Sequence, residues 1–188
     1  MKVELEDYTA DAEWKISRYA GICYNSKGAN IKRLKADGHL ATFRFAYATF
    51  KVSEVSRACA MQHLRHKFLE FLMRSQRYVK EKQFNFVIPE SIKQGGSLAN
   101  DYIDFMEDTQ DMYELLIARG IKAEDARMIL PNACFTEYYV VGNFQAWHDF
   151  LWGKAGRLQK AAQWEIKEVA LGIQEKLALI APNIFEDK

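Results

Sequence analysis

Neither of the common glycine-built phosphate loops is present in this 188-residue chain: Gly-x-Gly-x-x-Gly and the Walker pattern are both missing. If a nucleotide binds, it is not held by the common glycine-rich devices. There is also no Cys-x-x-Cys pair and no Gly-x-Ser-x-Gly elbow, which removes dithiol chemistry and hydrolase-type nucleophiles. The three cysteines, Cys23, Cys59 and Cys134, are odd in number, far apart and set among apolar or small residues. They read as buried thiols in a reducing compartment, and none has a neighbouring base that would activate it. Lys plus Arg number 26 against 25 Asp plus Glu, so no global field draws in nucleic acid or a membrane surface. No window approaches the roughly 18 continuous apolar residues of a membrane helix, and the opening Met1-Lys2-Val3-Glu4 holds no apolar signal core. The expectation is a cytoplasmic protein without membrane or nucleic-acid partners. His63 and His66 stand three apart but have no acid or cysteine at ligand spacing, so no metal site is expected.

With 49% hydrophobic and 13% aromatic residues, the chain can bury one substantial core, and its length favours a single domain over residues 1–188. No repeat, linker or low-complexity tract divides it. Residues 42–52 alternate aromatic with small or polar side chains, placing Phe43, Phe45 and Tyr47 on one side of a predicted strand. Ser53 then offers a cap for a helix beginning near Glu54 and running at least to His66, which would put Gln62, Arg65 and His66 on one face. Periodicity fades from 79 to 97, where Pro89 and Gly95-Gly96 mark an irregular connection. Tyr102 to Leu116 reads as an amphipathic helix stopped by Gly120, and Ala123 to Leu130 as a shorter one stopped by Pro131. Phe135 to Val141 reads as a buried strand, closed by Gly142-Asn143, with Asn143 able to cap the helix that carries Trp147. Ile166 to Ile180 forms a long packing helix ended by Pro182. Strands and helices mix without regular alternation, so the predicted class is α+β.

Against this neutral background, Arg65, Lys67, Arg74 and Arg77 crowd into 17 residues with Gln62, Ser75, Gln76 and Tyr78. One reading is a basic, aromatic RNA-binding strip over Arg65–Lys82, which the balanced net charge disfavours. The other is a phosphate site, because arginine forks match phosphate oxygens in a bidentate way. Taken singly, Arg127 is a helix-end arginine beside Glu124 and Asp125, Asn143 a cap, Lys154 a solvated lysine and Ser75 a surface hydroxyl.

Their order along the chain is more informative. Arg65-His66-Lys67, seven residues and then Ser75 differs by one residue from the Arg-His-Arg-x7-Ser signature of the flavin-dependent thymidylate synthases. Gly38-His39 with Thr49-Phe50, Val55-Ser56-Arg57-Ala58, Ala126-Arg127, Leu130-Pro131, Thr136-Glu137-Tyr138, Asn143, Phe150-Leu151 and Ala162-Gln163-Trp164-Glu165-Ile166 follow in family order. Over most of its length the chain resembles the ThyX-type family. The resemblance implies a ThyX-like fold, an antiparallel sheet packed with helices in one catalytic domain, and a homotetramer whose subunits share active sites. It implies reductive C5 methylation of dUMP to dTMP with FAD as redox carrier, methylenetetrahydrofolate as carbon donor and NADPH as reductant.

Carried over residue by residue, it assigns Gln62, Arg65, Arg74, Ser75, Gln76, Arg77, Arg127 and Lys154 to dUMP. His39, Arg65, His66, Lys67, Asn143, Gln145 and Asp149 fall to FAD. Lys154 is the catalytic candidate, standing where the family has an arginine that polarises the uracil ring. The departures are Ala41 for a serine or threonine, Arg44-Phe45 for Glu-His, Met73 for a glutamate, Gln145 for an arginine, and a segment after Gly153-Lys154 about three residues longer than usual. The apolar run Phe68 to Arg74 replaces a polar loop and would extend the helix on propensity. Such drift fits a viral or specialised branch, placing the protein in host cytoplasm if viral. It leaves two alternatives: a C5 methylase or hydroxymethylase of another pyrimidine nucleotide (UMP or dCMP), and a nucleotide-binding relative that has lost flavin catalysis.

Overall fold

A computed structural model describes residues 1–186; of the expected domain 1–188, residues 187 and 188 lie outside the described residues. The chain runs β1 (Lys2–Tyr8), α1 (Ala12–Gly21), α2 (Ile31–Ala36), β2 (Tyr47–Ser56), α3 (Arg57–His63), β3 (Leu69–Met73), α4 (Glu90–Lys93), α5 (Ser97–Ala118), α6 (Ala123–Ala126), β4 (Phe135–Asn143), α7 (Phe144–Trp152), α8 (Trp164–Ile180) and α9 (Pro182–Phe185). The four strands form one antiparallel sheet in the order β1-β2-β4-β3, so the α+β expectation is met. No helix among the described residues is long and apolar enough to cross a membrane.

The chain clusters into two compact units. The first comprises residues 1–53, 62–72 and 138–188, the second 54–61 and 73–137. In the first unit β1 pairs antiparallel with β2 from Lys2↔Ser53 to Tyr8↔Ala48, with a bulge between Leu5 and Asp7. Its core is built from Ile16, Phe43, Phe50, Trp147, Phe150, Ile166, Ile173 and Phe185, all fully buried. The α8 helix lies close on β1, where a Cβ on Gly172 would meet Val3 Cγ2 at 3.1 Å. The second unit is organised around α5, whose Tyr113 is buried and accepts through its hydroxyl oxygen from the Glu81 amide at 3.1 Å. Val55, Cys59, Ala60, Phe84, Met106 and Cys134 complete that smaller core.

Several sequence expectations are met: α5 stops at Gly120, which takes φ +85, β4 spans the predicted strand, Asn143 caps α7 by accepting from Ala146 N at 2.9 Å, and α8 covers the long packing helix. Others are corrected. Residues Leu40–Phe45 wind as a 3-10 segment, so the strand begins only at Tyr47; Phe43 is buried while Phe45 is 64% exposed. The strand then continues through Glu54, at φ +58, and the helix starts at Arg57 with Ser56 Oγ, not Ser53, accepting from Cys59 N. Pairing in the sheet outcompetes the local cap signal there. Because α3 ends at His63, Arg65 and His66 do not share a helix face with Gln62. Leu69–Met73 is a strand, not a helical extension, alternating buried and exposed side chains; a ladder partner overrides the helix propensity of Leu, Glu and Met. β4 is buried on alternate residues, with Tyr139 and Val141 exposed. Cys23 is exposed, and only Cys59 and Cys134 are buried.

Candidate functional site

In the first unit the turn after α3 brings the signature residues to the loop that follows α7. His63, fully buried, shares a 2.8 Å hydrogen bond through Nδ1 with the Tyr138 hydroxyl and stacks on Phe150 at 4.4 Å. Burial, and then the charges of His66 and Arg157, hold its pKa well below the usual histidine value. His66 is pushed down to about 4, by burial first and the Arg157 charge second. A neutral His66 can accept, and it does: Arg157 Nε donates to His66 Nε2 at 2.6 Å while Nη2 donates to the Gln62 carbonyl at 3.3 Å. Arg157 is placed by its own backbone, its amide donating to Phe150 O at 2.7 Å. Gln62 reaches Gln163 Oε1 at 3.5 Å, and that same oxygen caps α8 through Glu165 N and Ile166 N. Gln62, His66, Arg157 and Gln163 thus form one connected cluster.

Lys154, the sequence candidate for the catalytic cation, is exposed, and its amine makes no hydrogen bond or ion pair to a described residue. Arg65 and Lys67 are likewise exposed and without such partners among the described residues.

The residues expected to hold FAD are divided. Asn143, Gln145 and Asp149 come together with Arg44, Phe68 and Ala146 around a cleft of about 170 Å³. Arg44 Nε donates to Gln145 Oε1 at 2.5 Å. His39 lines a different cleft of about 360 Å³ with Tyr24, Asn30, Arg33 and Asp37.

The second unit holds Arg74, Ser75, Gln76, Arg77 and Arg127, and here the cations meet carboxylates. Arg74 reaches Glu81 and Glu137, each at 3.3 Å. Arg77 Nη2 lies 3.2 Å from Glu124 Oε2, and Arg127 Nε donates to the Glu124 carbonyl at 3.1 Å, so Glu124 gathers both arginines. Ser75 Oγ accepts from Arg77 N at 3.3 Å. Gln76 is buried with its Nε2 lacking a partner among the described residues, a donor available to a ligand. The Cys134 thiol is pushed up to about 12 by burial first and Glu81 second, and a thiol held in that form is no nucleophile.

Two residues escaped the sequence reading. Arg44 was visible only as a departure. Arg157, three positions beyond Lys154, carries no motif signal of its own.

A family model described as "Thymidylate synthase complementing protein" matches residues 4–183. A flavin-dependent thymidylate synthase of Pyrococcus furiosus is 35% identical over 170 residues, covering 88% of this chain and 68% of that protein. The chain belongs to the flavin-dependent thymidylate synthase family. Flavin-dependent thymidylate synthases of Clostridium tetani, 29% identical over 99% of this chain and 86% of theirs, and of Geobacter sulfurreducens, 30% identical over 100% and 86%, are similar along the whole length.

Proposed function

We propose that this chain works as a cytoplasmic flavin-dependent thymidylate synthase, one catalytic domain that converts dUMP to dTMP with methylenetetrahydrofolate as one-carbon donor and NADPH as reductant. The observation that carries the reading is the cluster of Gln62, His66, Arg157 and Gln163, which joins the signature to the Ala162–Ile166 block through hydrogen bonds. FAD, when bound, supplies the hydride chemistry, leaving the protein to bind, orient and set charge. The cleft of Arg44, Phe68, Asn143, Gln145 and Asp149 suits one part of such a group, offering a guanidinium, an aromatic face and amide donors in one place.

In this reading Arg65, Arg74, Ser75, Gln76, Arg77 and Arg127 serve the nucleotide, mainly its phosphate, and His39, His66, Lys67 and Asn143 serve the flavin. Of the two cations near the pyrimidine, Arg157 is better placed than Lys154 to stabilise negative charge on the ring, because a fixed fork needs no reorganisation when charge develops. Neutral His66 and the Gln62 carbonyl hold that fork in one orientation. Large exposed apolar side chains, such as Ile22 (84%) in the first unit and Met128 (81%) in the second, support burial against further copies in a homotetramer. Light scattering should then give four times 21.8 kDa.

The test is the absorbance spectrum of the protein with and without added FAD, followed by NADPH oxidation with dUMP, UMP or dCMP and mass analysis of the product. A yellow protein that oxidises NADPH only with dUMP and releases dTMP is expected. Turnover of UMP or dCMP, or a hydroxymethyl product, would move the substrate assignment. A protein that takes up no flavin would overturn the reading and leave a nucleotide-binding relative.

A further inference from the structure

Within the cleft assigned to the flavin, Arg44 has a fork whose ligand the preceding assignment does not name. It lies at the end of the 3-10 segment Leu40–Phe45 and reaches across to the first turn of α7, where Gln145 Oε1 accepts from its Nε. The acceptor is a neutral amide, so the guanidinium keeps its whole charge. Its two terminal nitrogens, the fork that takes an oxyanion in a bidentate way, make no hydrogen bond or ion pair to a described residue. Both side chains lie in the first unit, as do all the residues of the cleft they line.

Two other walls narrow the ligand. Phe68 is 74% exposed and held at φ +66, a region that a bulky side chain enters only when the surrounding turn imposes it. The strain sets an aromatic face at the cleft mouth, where it can cover a ring or sugar. Asp149, one helical turn beyond Gln145, adds a carboxylate that lies 3.9 Å from Nδ1 of His148, a ring whose pKa burial lowers. A cleft carrying one cation and one carboxylate suits neither a bare anion nor a bare cation. It suits a phosphate ester with neighbouring hydroxyls: the fork takes the phosphate and Asp149 accepts from the hydroxyls.

We propose that Arg44 is a cofactor-binding residue that receives a phosphate of the flavin dinucleotide, with Gln145 as its positioning residue and Phe68 as the covering face. This rests on the proposed flavin dependence. It also recasts two departures as one: arginine at 44 and glutamine at 145 are a mutually satisfied pair, and the positive charge has crossed the cleft instead of vanishing.

The test compares ligands that share the isoalloxazine ring but not the phosphate. Dissociation constants for FAD and for riboflavin are measured by fluorescence quenching on wild type, R44Q, R44K and Q145L, with the melting temperature of each as a folding control. R44Q should weaken FAD about tenfold or more, the scale of a charge-assisted pair, and leave riboflavin unchanged. R44K should recover part of the loss as a point charge, and Q145L should fall between. Equal weakening of both ligands, or of neither, overturns the proposal while leaving the flavin reading intact. A rise in KM for NADPH with FAD affinity unchanged also overturns it, by giving the phosphate to the reductant. Failure of the wild type to bind FAD overturns both the proposal and the function it rests on.

Discussion

Two arginines of the first unit and two of the second are held in opposite ways. In the first, Arg44 leans on an amide oxygen and Arg157 on a neutral ring nitrogen and a backbone carbonyl. In the second, Arg74 leans on Glu81 and Glu137, and Arg77 on Glu124. A neutral acceptor fixes the fork's direction without cancelling its charge, so the charge is available the moment a ligand arrives. A carboxylate fixes direction and cancels charge together, and an incoming phosphate must displace it. For an exposed pair such as Arg77–Glu124 the exchange costs little, since such pairs contribute about 0–1 kcal/mol. For Arg74–Glu81, where the Glu81 side chain is 8% exposed, the pair belongs to the fold.

The largest expected effect tests the first unit. Arg157→Gln should lower dUMP-dependent NADPH oxidation by about a hundredfold or more, the scale of removing a preorganised charge donor. Lys154→Gln, an exposed change, should stay within about twofold. The reverse order would return the role to Lys154 and leave Arg157 a structural tie.

Next in size is Glu81→Gln in the second unit. It should cost about 1–3 kcal/mol in urea unfolding, because Arg74 then faces a buried neutral group where its countercharge stood. A neutral result would put Arg74 in the same exchangeable class as Arg77.

Titration separates the units from opposite ends of the pH scale. His63 and His66 have folded values below the unfolded one, near 6.5. As pH falls the unfolded chain takes up protons first, so their contribution is whole above about 6.5 and is lost as pH drops toward about 4. Cys134 is the mirror case: its folded value is raised from 9.0 to about 12, so its contribution is whole below 9.0 and is lost as pH climbs through that interval. All four tryptophans, Trp14, Trp147, Trp152 and Trp164, lie in the first unit. Tryptophan fluorescence during melting should therefore respond to acid more than to alkali, and Cys134→Ala should flatten the alkaline limb. Loss of the alkaline limb without change in C134A would remove the thiol from the account.

The smallest effect is on Glu124. Glu124→Gln should leave unfolding within about 0.5 kcal/mol and tighten binding of a nucleotide phosphate by about two- to fivefold, by releasing Arg77 from an exposed pair. Weaker binding would mean that Glu124 aims the fork and does not merely neutralise it.

What the sequence made legible follows from local rules. Helix α5 with its Gly120 stop, β4, the Asn143 cap and α8 are long periodic segments or caps in which propensity and tertiary structure agree. The misses lie where they disagree. Residues Phe68–Met73 look helical until a neighbouring strand claims them, and Ser53 loses its cap role because β2 keeps pairing through it. β1 carries only Val3 and Leu5 among charged residues, too thin a pattern for a strand whose partner is more than forty residues away. At the site, Arg157 stands three residues beyond the sequence candidate Lys154, and only three-dimensional placement shows that Arg157 is the one that meets His66. Arg44 was hidden for a similar reason: its significance depends on Gln145, a partner 101 residues away.

The stack of His63 on Phe150, with rings 22° from parallel and Phe71, Tyr138 and Trp147 edge-on around it, gives the molecule an internal spectroscopic probe. Ring currents from the stacked face should shift the His63 proton resonances upfield, away from those of exposed His39. Since the ring stays neutral across the ordinary pH range, that shift will not drift with protonation. A change in it on adding a nucleotide or flavin would therefore report movement of α3 or α7 itself, read from a nucleus that touches no solvent and needs no label.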